Sequence, residues 1–200
     1  MLRGSSREEL GVKLRSGHLH VDKDWQKSID EAAEAGQEYL VSAVLHSLDQ
    51  TIEDYQRSAD DFSRYAEYCK KSNLLFGYHN HESEFQQVNG KVLYDILLGR
   101  TDPGLVHMEM DLGWVVAAGQ DPLAYFAKYP GRFPLWPLKD MDRIAKRSTE
   151  FGLGQVNMLG LMQHAGQSGM KHFFVEQEEY SHSAWESMQK GYDYLSRLHY

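Results

Sequence analysis

An α/β fold built on a parallel sheet is what this sequence predicts. Three observations carry that expectation. Short apolar runs alternate with amphipathic segments along the whole chain, a spacing that implies right-handed βαβ units. No GxGxxG or Walker loop follows any of these runs, which weakens the dinucleotide-binding and P-loop readings. Ionisable residues gather just after the apolar runs, the end of each strand that faces the active site in a (β/α) barrel.

The elements follow in order. Residues 12–21 read as the first strand. A helix over 24–36 comes next, with Trp25, Ile29, Ala32 and Ala33 on one face and Gly36 as its stop. Residues 38–45 make the second strand. Thr51 opens a long helix to about Lys71, with Asp54 in the capping-box position. Its helical stripe is Tyr55, Ala59, Phe62, Ala66 and Cys69. The third strand is LLFGYHNH, 74–81. Asn89-Gly90 is a tight-turn signal, and 92–99 read as a helix. Residues 105–114 are the fourth strand. Asp121-Pro122 has the form of a helix start, cap then proline, and the helix continues over 123–129. Residues 133–142 form the fifth strand, 156–166 a helix and 172–179 the sixth strand. A weaker seventh strand falls near FGLGQV. In the tail, Ser183 and Glu186 form a capping box. Trp185, Met188, Tyr192 and Leu195 make the stripe expected to be buried. No linker or low-complexity stretch divides the chain, so one domain over 1–200 is expected.

Composition narrows the function. The hydrophobic fraction of 42% and aromatic fraction of 12% suit a globular chain. A net charge of −8 argues against a nucleic-acid partner. The single cysteine, Cys69, excludes an intrachain disulfide and reads as a small buried residue. The N-terminal residues carry no apolar leader, and no 18-residue apolar run occurs. The expectation is a soluble, cytoplasmic chain with no membrane partner.

Side chains alternate along a strand. His79 and His81 therefore share a face of the third strand. His107, Glu109 and Asp111 share one of the fourth, Leu135, Pro137 and Lys139 one of the fifth, and His172, Phe174 and Glu176 one of the sixth. If these faces point inward, His81, Asp111, Lys139 and Glu176 approach one mouth, and Glu84 can reach back to it. Carboxylates and imidazoles gathered in this way suit Mn²⁺, Mg²⁺ or Zn²⁺. Such an ion can polarise a carbonyl while flanking glutamates move protons beside it. The plainer alternative is that acids after strands, Asp111, Asp140 and Asp142 among them, cap the next helix. His107 and His172 lie deeper and suit packed core positions. His18 and His20 flank the end of the first strand.

At this point the chain resembles a known family. GYHNHESEF is similar to the YHNH-x-x-EF motif of the sugar phosphate isomerase/epimerase group, which has the xylose isomerase-like TIM-barrel fold. MEMDLGWVVAAGQDPLAYFAKYPGRFPLWPLKDMD resembles that group's next two βα units, and FGLGQ with HFFVEQEE its last strand region. The resemblance implies a divalent metal held by Glu84, Asp111 and Glu176. It implies catalytic roles for Glu84, Glu176, Lys139 and His81, with His79, His18 and Trp114 contacting substrate. The reaction implied is proton transfer next to a carbonyl of a sugar, sugar phosphate or polyol, in an isomerase or epimerase, with a lyase as a related possibility. The family's fourth ligand, a histidine two residues before the lysine, is Pro137 here, and proline also lacks the N–H of a central strand. The chain resembles the family from its second strand onward, which predicts six to seven strands and an open barrel edge. Such an edge invites pairing, so a homo-oligomer, most simply a dimer, is expected. A non-catalytic member that binds a sugar, or assembles through that edge, is the alternative.

Overall fold

The computed structural model describes residues 11–19, 25–45 and 49–200. His20 and the ends of the first strand and first helix as read above lie outside the described residues. Among the described residues ten strands form: β1 (Ser16–Leu19), β2 (Tyr39–Ser42), β3 (Leu75–His79), β4 (Gln87–Val88), β5 (Lys91–Val92), β6 (Val106–Glu109), β7 (Leu135–Leu138), β8 (Asp140–Met141), β9 (Ser148–Thr149) and β10 (His172–Val175). Six are the parallel strands expected, in the sheet order β1-β2-β3-β6-β7-β10. The other four make two short antiparallel pairs, β4 with β5 and β8 with β9. The helices are α1 (Trp25–Glu34), α2 (Ile52–Lys71), α3 (Leu93–Arg100), α4 (Leu112–Ala117), α5 (Pro122–Lys128), α6 (Met158–Met162), α7 (Ala165–Ser168) and α8 (Ala184–Leu195). Among the described residues, no helix is long and apolar enough to cross a membrane.

The chain divides into two compact units. One comprises Met1–His79 with Ile96–His107, the other Asn80–Asp95 with Met108–Tyr200. In the first, β1, β2 and β3 run parallel, with Gly17 opposite Leu40 and Leu40 opposite Phe76. Thr51 caps α2 by accepting from the Asp54 amide, and the stripe from Tyr55 to Cys69 is buried as the spacing predicts. Phe62 stacks on Tyr78 of β3 at 4.7 Å. Fully burying a side chain of this size contributes roughly 1.5–3 kcal/mol, so this stripe pins α2 to the strand.

In the second unit Trp136 of β7 stacks on Phe126 of α5 at 4.9 Å, and Asp121 caps α5 through the Leu123 amide. The fourth strand is shorter than its apolar run. It stops at Glu109, and Asp111 turns the chain by capping α4, its Oδ1 accepting from the Trp114 amide at 3.0 Å. The fifth run likewise splits into β7 and β8, and FGLGQV is a loop and not a strand. That loop is wound around Asp140, whose carboxylate accepts from the amides of Gly152, Gly154 and Val156.

Pro137 is accommodated in β7, which forms fully buried over its whole length. Leu135 O accepts from the Met110 amide on one side, and Leu138 O from the Glu176 amide on the other. Peptide groups alternate sides along a strand, so Pro137 turns its main chain toward the β6 side. There β6 has already ended, and only Glu109 pairs, opposite Leu135. The missing N–H falls beyond the last paired residue of β6.

The tail helix α8 corrects an expectation. Its capping box forms as predicted, but Trp185, Met188 and Tyr192 are 73%, 61% and 69% exposed. The buried positions are Ser187 and Gly191. Ser187 Oγ donates to Glu150 at 2.9 Å, and a Cβ at 191 would stand 3.3 Å from Phe151. Close approach and a polar anchor seat this helix, so its apolar stripe faces outward.

Candidate active site

The second unit gathers charge at the C-terminal ends of β6, β7 and β10. Lys139, the residue after β7, is fully buried, and its Nζ is the centre of the group. Asp111 Oδ2 lies 2.9 Å away, Glu176 Oε1 3.0 Å and Glu178 Oε1 2.8 Å. The ammonium donates a hydrogen bond to Glu178 and forms ion pairs with Asp111 and Glu176. Burial opposes the charge on Lys139. The negative Asp111 and Glu176 and the hydrogen bond to Glu178 overcome that and hold its pKa above the ordinary lysine value.

Local structure explains each position. Asp111 is fixed because its other oxygen caps α4 and its amide donates to Asn80 Oδ1 at 3.2 Å. Glu176 is fixed by its backbone bond to Leu138, which extends the β7–β10 register by one residue. Its side chain is 34% exposed and that of Glu178 45%. Gly113 makes the space: a Cβ there would lie 2.8 Å from Lys139 O and 2.9 Å from Lys139 Cβ.

Trp114 closes one side, with Lys139 Nζ 5.0 Å from its ring, within cation–π range. Its buried indole Nε1–H meets no hydrogen-bond acceptor among the described residues. Beside it opens a cavity of about 610 Å³ lined by His81, Glu82, Ser83, Phe85, Gln86, Trp114 and Ala118. The His81 ring stands 6.4 Å from that of Trp114.

Of the residues singled out from sequence, Lys139, Asp111, Glu176 and Trp114 come together, and His81 lines the adjoining cavity. Glu84 is buried, and its Oε2 accepts from the His81 amide at 2.9 Å and from Ser83 Oγ at 3.1 Å. It closes the turn that presents His81. His18 and His79 lie in the other unit, with their rings 4.9 Å apart. Glu178 was missed. Its signal was its place two residues beyond Glu176, on the same strand parity.

Comparisons with known proteins agree with this fold. No protein-family model matches the chain. A sugar phosphate isomerase/epimerase from Parabacteroides distasonis superposes with a TM-score of 0.85 at 28% identity, covering 96% of this chain and 73% of that one. Among curated proteins, an inosose dehydratase of Clostridium tetani is 31% identical over 91 residues, 46% of this chain and 30% of that protein. One of Lacticaseibacillus casei is 25% identical over 140 residues, 68% of this chain and 46% of that protein. The chain thus spans less than half the length of these curated relatives. Two structures share the fold at lower identity. One is the IOLI protein with a binding zinc atom (TM-score 0.75, 10% identity, covering 100% of this chain and 83% of that one). The other is a xylose isomerase-like TIM-barrel protein of Mycobacterium smegmatis in complex with magnesium (0.67, 14%, 97% and 75%).

Proposed function

From the fold it shares with xylose isomerase-like TIM-barrel proteins, we propose that the chain is a sugar- or polyol-processing enzyme. Its reaction begins with proton removal next to a carbonyl. The observation that carries this reading is the buried Lys139 ammonium at the mouth of β7, ringed by Asp111, Glu176 and Glu178 against Trp114. A fixed positive charge there would favour the oxyanion that forms when a carbon beside a carbonyl loses its proton. Glu176 and Glu178 are the acids solvent reaches, and they suit the proton transfer itself. The substrate ring would stack on Trp114, with His81 across the cavity.

A lyase and an isomerase share that first step. In dehydration the enediolate then expels a neighbouring hydroxyl, which leaves as water. In isomerisation the proton returns to the adjacent carbon. The inosose dehydratase relatives favour the first, the isomerase/epimerase neighbour the second. The zinc and magnesium of two neighbours support divalent-metal chemistry in this superfamily. In this chain Asp111 and Glu176 enclose an ammonium, Glu84 closes a turn and position 137 offers no ligand. That set does not fit a metal ion as it stands.

The test is exchange in D₂O, followed by proton NMR on inosose and a panel of keto sugars. The C–H beside the carbonyl is expected to wash out with the wild-type protein, and about 100-fold more slowly with Glu176→Gln. No exchange above the blank on any substrate rejects the enzyme. Saturable sugar binding without exchange would favour the non-catalytic alternative, which Pro137 supports.

A further inference from the structure

We propose that the ammonium of Lys139 is the built-in cation of this site, standing among Asp111, Glu176 and Glu178 in the role that the resemblance gives to a divalent metal. Three observations carry it. The charges converge: Nζ lies 2.8 to 3.0 Å from one oxygen of each of three carboxylates and donates a hydrogen bond to Glu178. The position is built, because the lysine stem is fully buried and passes where Gly113 leaves out a side chain. The residue that would donate a fourth ligand is Pro137, whose ring has no donor atom.

A divalent ion and this ammonium would compete for the same oxygens. Asp111 is the fixed partner, since its second oxygen caps α4. Glu178, the most exposed of the three, is the partner that can swing aside. Its departure frees one Lys139 N–H for a substrate oxygen while Asp111 and Glu176 keep the charge in place. The inference on the cation stands apart from the proposed reaction and is read without any substrate.

The experiment is calorimetric Mn²⁺ titration at neutral pH of the full chain, wild type against Lys139→Met, Lys139→Met/Glu176→Gln, Asp111→Asn and Glu176→Gln. Removing the ammonium is expected to create a Mn²⁺ site at least tenfold tighter than any wild-type binding that depends on these carboxylates. The double variant is expected to lose it. Two results would overturn the proposal. One is wild-type Mn²⁺ binding that Glu176→Gln or Asp111→Asn weakens tenfold or more. The other is a folded Lys139→Met, checked by circular dichroism, that gains nothing. Should Lys139→Met fail to fold, the wild-type comparison decides alone, with unchanged binding in both single variants as the supporting result.

Discussion

Asp111 and Asp140 look alike in sequence and in burial. Each follows a parallel strand and neither is reached by solvent. Their partners differ. Asp140 spends its carboxylate on backbone amides alone: Met141, Gly152, Gly154 and Val156. Asp111 divides its carboxylate between a helix cap and the Lys139 ammonium. An acid whose oxygens are all consumed by main chain holds a loop. One that faces a buried charge beside a cavity can take part in chemistry. The partner, not the residue type or its burial, separates the two.

Exchanging each aspartate for asparagine is the strongest way to break this comparison. Asp111→Asn is expected to lower the proton-exchange rate about 100-fold, because the charge that holds the ammonium is lost. Asp140→Asn should leave the rate per folded molecule unchanged and lower stability by about 2–3 kcal/mol in urea melts, as hydrogen bonds to a charged acceptor are weakened. If Asp140→Asn slows the folded enzyme as much as Asp111→Asn does, the distinction fails.

A smaller effect sharpens the structural side. Gly154→Ala would put a Cβ 2.1 Å from Asp140 Oδ1 and 2.7 Å from Met141 O. The expected cost is about 1–3 kcal/mol of stability, with the exchange rate retained. A variant as stable as wild type would show that the Asp140 loop gives way freely.

A further effect appears only in acid. Burial opposes ionisation of Glu150, but its own backbone, Ser187 and Ser181 hydrogen-bond the carboxylate and bring its pKa from 4.5 to about 2. A carboxyl more acidic folded than unfolded stabilises above the unfolded value, and that contribution fades as pH falls from 4.5 through about 2. Urea midpoints across this window should fall more steeply for wild type than for Glu150→Gln. Parallel curves would remove Glu150 as the anchor of α8.

Much of the fold was legible in the sequence where one pattern had one outcome. Residues 52–71 carry an apolar stripe, a cap and a long run, and the helix buries that stripe against β3. The tail helix carries the same kind of stripe and exposes it. Spacing shows that a face exists, but not what stands opposite, and Ser187 and Gly191 are buried by a long-range acid and a close ring. The β8–β9 pair escaped notice because two residues per strand leave no period to read. At the site, strand parity brought Asp111, Lys139 and Glu176 to one mouth. That their shared partner is the lysine itself depends on side-chain reach, on which a sequence period is silent.

Cys69 supplies a clock. It is the only thiol in the chain, and it sits on the buried stripe of α2. Burial pushes its pKa up to about 12, so little thiolate exists at neutral pH and a thiol reagent must wait for the helix to lift. Its labelling rate therefore times the opening of the first unit, while the substrate C–H exchange proposed above would report on the second. The two units of one chain can thus be followed separately in a single sample, with no engineered label site.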